Sequence, residues 1–215
     1  MEISEHQQQL LRITRHEAAH FVVAEAMGFA GQRISIHYQD TDRYRGKADH
    51  DLTERCGSLD EVKQYAIRRT ITLMAGAIGE ALDSEGRIDR TEADRIFEGE
   101  DTGAGSDRST SHEFIHLIYH VSEPESASPA DIKNQLWKQA VAVTYMHANV
   151  VEGIAQALMA TMVLKPDGLH MELTNQQIEI LLGQSIPRMD GQLEALCKEI
   201  NGLTKQTDDT LRPVL

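Results

Sequence analysis

Apolar positions along the first thirty residues keep a helical period. Ile13, Val23, Ala24 and Met27 fall on one side of a helix projected over residues 10–27, and Gly28 supplies its stop. The period then drops to two. In RISIHYQDTDRYRGKADHD, Ile34 and Ile36 alternate with polar neighbours, which predicts a strand, a polar turn and a second short strand ending near Ala48. Helical spacing returns over residues 59–82. Within it, Ala75-Gly76-Ala77 and Gly79 form a small-residue face. A glycine inside a helix costs about 1 kcal/mol against alanine, so its presence points to close packing. EGEDTGAGSD reads as a glycine-rich acidic loop feeding a helix that ends about Val121, and SEPESASPAD as a second loop. Pro129 opens the helix that begins around Ala130. Helices then cover residues 131–162 with a break near Asn149, and ELTNQQIEILLG forms a short helix capped by Thr174. The chain therefore reads as mostly α with a small β-ribbon. A polar, flexible tail is expected over residues 203–215.

Composition narrows the classes. With 215 residues, 40% hydrophobic and 26% charged, the chain matches an ordinary folded protein. The net charge of −13, with no Lys- or Arg-rich block, argues against a general nucleic-acid surface. Cys56 and Cys197 are the only cysteines and lie far apart, so neither a disulfide framework nor a zinc knuckle is expected. The N-terminal MEISEHQQQ is polar, unlike a signal peptide, and the apolar stretches fall short of the ~20 residues that span a bilayer. These features predict a cytoplasmic protein with no membrane partner.

Two H-E-x-x-H patterns are present: His16-Glu17-Ala18-Ala19-His20 and His112-Glu113-Phe114-Ile115-His116. Histidines four apart share a helix face and can reach one zinc, with the glutamate placed as general base. His20 projects about 40° from His16, and Ile13, Val23, Ala24 and Met27 lie within about 80° of it. The first pair thus faces the core, where two imidazoles need either a metal or other hydrogen-bond partners. In the second motif His112, His116 and His120 lie about 160–240° from Phe114 and form a stripe facing solvent, without walls for catalysis. Asp107 projects within about 20° of Phe114 and so onto the apolar face of that helix. A carboxylate there needs a cation, a metal or a cap on backbone N–H groups. A catalytic zinc takes three protein ligands, and Asp107 is the candidate third beside His16 and His20.

TRHEAAHFVVAEAMG resembles the zinc helix of the FtsH-type peptidases, the proteolytic module that normally follows an AAA ATPase. RISIHYQDTDRYRGKA resembles the strand pair after that helix, LMAGAIGEALD its small-residue motif, and TGAGSD the glycine loop whose aspartate is the third ligand. The later VVEGIAQALMATMVLKPDGLHMELTNQQIEILL is similar to the closing helices, so the resemblance covers residues 10–183. It implies a helical peptidase domain over residues 1–202, a β-ribbon near the zinc, ligands His16, His20 and Asp107, and Glu17 as general base. Glu80, in the small-residue motif, is given no catalytic role. No phosphate-binding G-x-x-x-x-G-K-[ST] loop or membrane anchor accompanies the motifs. The expectation is an endopeptidase with one zinc per chain and no ATPase of its own, acting on unfolded or flexible polypeptides. A homo-oligomer and a separate ATPase partner stay open. The alternatives are an inactive, metal-binding adaptor of the same shape and a metal-free helical bundle.

Overall fold

The structure is a computed structural model and describes residues 5–40, 43–99, 102–122 and 127–189, together with 191 and 195. It is mostly α-helical with a small antiparallel sheet. Helix α1 (Glu5–Ala26) buries Ile13, Phe21, Val22, Val23 and Ala24, and the chain turns at Gly28 with φ 88°. That left-handed conformation favours glycine. Helix α2 (Leu59–Glu80) packs along α1. It is capped by the Ser58 hydroxyl, which accepts from the Glu61 backbone N–H. Its C-terminal half carries the small-residue face, where Ala75, Gly76, Ala77 and Gly79 are all buried.

The strand pair is present, and longer than its sequence pattern suggests. Strand β1 (Ala30–Asp40) buries Ile34, Ile36 and Tyr38 on one face and pairs antiparallel with β2 (Arg43–Asp51). The ribbon belongs to a four-stranded sheet in the order β2-β1-β4-β3, with β3 at Val163–Lys165 and β4 at Gly168–Thr174. This second hairpin was not expected from the sequence: its apolar alternation is short, and it lies against β1 only through pairing across some 130 residues. Met171 and Leu173 extend the buried face opposite Ile36 and Ile34.

Helix α3 (Arg90–Glu98) also went unread; Asp89 caps it, and Ala93, Ile96 and Phe97 are its buried side. Helix α4 (Gly105–Val121) buries Ser111, Ile115 and Ile118. The apolar stripe is therefore rotated from the one centred on Phe114, which is half-buried at the margin, edge-on to Tyr65. Helices α5 (Pro129–Met146) and α6 (Ala148–Ala160) meet at His147, the break expected near Asn149. Helix α7 (Asn175–Leu182) starts on a reciprocal cap between Thr174 and Gln177. Apolar residues of all seven described helices and of the sheet join one core. Among the described residues no helix is long and apolar enough to cross a membrane. The tail over residues 203–215 lies outside the described residues.

Candidate metal centre

Helix α1 presents His16 and His20 one turn apart toward α2, and both are buried. Their approach depends on position 76: a Cβ there would overlap the Nε2 atoms of both imidazoles. The carbonyl of Thr72, one turn before Gly76, lies 2.8 Å from His20 Nδ1. His16 Nδ1 lies 3.2 Å from Glu80 Oε2 at the end of the same helix. A carbonyl and a carboxylate only accept, so both Nδ1 atoms carry the proton and donate it. The Nε2 atoms are then the nitrogens left to face a shared ion, metal or proton.

Those nitrogens converge on one point with a third acceptor. His16 Nε2 and His20 Nε2 are 3.1 Å apart, and Asp107 Oδ2 lies 3.0 Å from His20 Nε2 and 3.4 Å from His16 Nε2. Three acceptors at such distances repel one another unless a cation sits among them. A metal fits, and so does a single proton. Burial would lower the His16 pKa, but hydrogen bonds to Asp107 and Glu80, with the Glu17 charge, outweigh it and carry it up to about 10. Burial likewise opposes the charge on Asp107, yet the adjacent His20 and His16 hold its carboxyl well below the usual range. The same cluster that traps a proton can exchange it for a divalent ion. Two imidazoles and one carboxylate suit zinc and leave a position open, as catalytic zinc requires. The two Nδ1 contacts hold the imidazoles in orientation, as the partners behind metal-ligating histidines do.

Asp107 reaches the pair because α4 begins at Gly105, placing it in the first turn at the head of the buried Ser111–Ile115–Ile118 stripe. Glu17 is buried beside the cluster, and burial pushes its carboxyl pKa up against the pull of His16 and His20. Strand β2 crosses directly over it: a Cβ on Gly46 would overlap the Glu17 carboxyl as it is placed. A cleft of about 1730 Å³ opens onto the cluster and is lined by Glu17, Tyr44, Gly46 and Asp107 among others.

The four site residues singled out in the sequence are therefore brought together. The second motif is not part of this site: His112, His116 and His120 are exposed along α4, and none lines the cleft. Three contributors were not legible. Glu80 orients His16, the Thr72 carbonyl orients His20, and His50 of β2 lines the cleft with its buried Nε2 lacking a hydrogen-bond partner. A glutamate one residue past a small-residue face was the only sequence signal for any of them. No protein-family model matches the chain, and no curated protein matches it.

Proposed function

We propose that the chain is a zinc-dependent endopeptidase that hydrolyses unfolded or flexible polypeptides. The observation that carries this reading is the convergence of His16, His20 and Asp107 within 3.4 Å, with each imidazole held from behind. When bound, zinc supplies a Lewis acid for a carbonyl and acidifies a water at neutral pH. The chain's own residues do the rest. Glu17 takes the proton of the attacking water and returns it to the amine of the departing segment, the task of a general base and then a general acid. Its buried setting, which raises the carboxyl's proton affinity, suits that exchange.

Strand β2 is an edge strand along the cleft wall, and its outer side offers backbone N–H and C=O groups to an extended peptide. Recognition by backbone pairing selects for chain that is already unfolded. The test compares casein with a tightly folded protein of similar size, both incubated with the zinc-loaded chain and no nucleotide. Casein is fragmented and the folded protein stays whole. Intact casein, with zinc bound, would remove the endopeptidase reading.

A further inference from the structure

A second convergence of ligand atoms lies in the sheet, on residues the first site does not use. His37 of β1 and His170 of β4 are direct cross-strand partners, on the face opposite the buried Ile36, Tyr38 and Met171 and the half-buried Leu169. Their rings stack with centroids 4.4 Å apart and planes 22° from parallel. Both Nε2 atoms point at Asp167, in the turn joining β3 to β4. His170 Nε2 lies 2.9 Å from Asp167 Oδ1, and His37 Nε2 lies 2.9 Å from the Asp167 carbonyl oxygen and 3.6 Å from Oδ2. One ligand atom from each residue falls within 4.8 Å of the others.

The turn is built to hold that carboxylate there. Pro166 presets the backbone of the two-residue connection between Lys165 and Gly168, which pair with each other. Gly168 has φ 137°, and a Cβ on it would lie 2.6 Å from the Tyr38 carbonyl oxygen and 3.2 Å from His37 Nε2. Only glycine lets the turn close this tightly against β1. The two histidines are shielded, at 30% and 28% side-chain exposure, whereas Asp167 is open at 58%. A donor set of two imidazoles and one carboxylate, drawn from two strands and a turn, is chemically that of a zinc-class ion.

We propose that His37, Asp167 and His170 form a second binding site for a divalent transition metal of the zinc class. It lies on the wall of the same cleft, since His37 and His170 both line it. The ion takes over the Nε2 positions that now donate to Asp167, the imidazole protons moving to Nδ1. It thereby ties the β3–β4 turn to strand β1. This assignment does not rest on the cluster at α1.

Metal content separates the two sites. The full chain, stripped with chelator and dialysed against buffered free zinc, is expected to hold about two zinc ions. The His37→Ala/His170→Ala double variant holds about one, as does His16→Ala, while Asp167→Asn, on an exposed turn, keeps its fold and loses about tenfold in affinity for one ion. Removing the exposed pair with His116→Ala/His120→Ala leaves two. The proposal is overturned if the His37/His170 variant binds as much zinc as wild type, or if the second ion disappears with His116 and His120. A wild type holding one ion that His170→Ala removes and His16→Ala does not would keep this site and sink the proposed function. A thermal melt of each variant by circular dichroism identifies any loss of zinc that comes from unfolding.

Discussion

His16 and His20 each spend Nδ1 on a partner that can only accept, and this fixes which nitrogen is left to bind. The tautomer is thus set by Glu80 and the Thr72 carbonyl before any metal arrives. Replacing Glu80 with Gln keeps the shape of the contact but removes its charge, and zinc affinity should fall about 10- to 100-fold, measured by competition with a chelating dye. Asp107→Ala should lower zinc content at this cluster and His112→Ala should leave it unchanged; the reverse pattern would move the site to the second motif. The first motif was legible because two histidines, a glutamate and the apolar residues around them share one helical projection. The outer partners were not. Thr72 acts through its backbone oxygen, and nothing in its identity as threonine announces that role.

At the scale of elements, the site is a product of two helices lying close. Gly76 gives the His16 and His20 rings their space, and the tightness of the α1–α2 contact follows from the missing side chain. Gly76→Ala forces a methyl group into both imidazoles. Overpacking of this kind costs about 1–3 kcal/mol, so the melting temperature should fall and zinc content with it. A variant that melts and binds zinc like wild type would show that the helices can separate freely. Close packing was readable as four small residues in a helical run. The rotation of α4 was not: Phe114 outranks Ser111 in hydrophobicity, yet Ser111, Ile115 and Ile118 are the positions facing the rest of the fold. The β3–β4 hairpin failed to register for a related reason. Val163, Leu164 and Lys165 are exposed and too few to set a period, and the strand they introduce is defined by its pairing with β1.

For the whole molecule, a buried histidine and a half-buried one give stability opposite dependences on pH. His16 has its folded pKa raised to about 10 from an ordinary 6.5. Without metal its contribution is therefore complete below pH 6.5 and is lost as pH rises through about 10. His50 is the reverse. Burial, helped by the Arg69 charge, lowers its pKa to about 3, so the unfolded chain gains a proton the folded chain refuses. Stability then falls as pH drops from 6.5, by about 1.4 kcal/mol per unit from this group. Urea titrations of the chelator-treated protein should show a maximum near neutrality. His50→Phe should flatten the slope between pH 6.5 and 5, and an unchanged slope would show that His50 is charged in the folded state. The helical class and the order of the main elements followed from hydrophobic period alone; the cleft depended on the sheet folding back over α1, which no local pattern encodes. The central claim is that Glu17 works on a water at a zinc held by His16, His20 and Asp107. Its most direct test is casein hydrolysis by wild type and Glu17→Gln at equal, verified zinc content and without nucleotide. Cleavage by wild type and none by Glu17→Gln is the predicted result. Cleavage by the variant at the wild-type rate, or none by either protein, would contradict it.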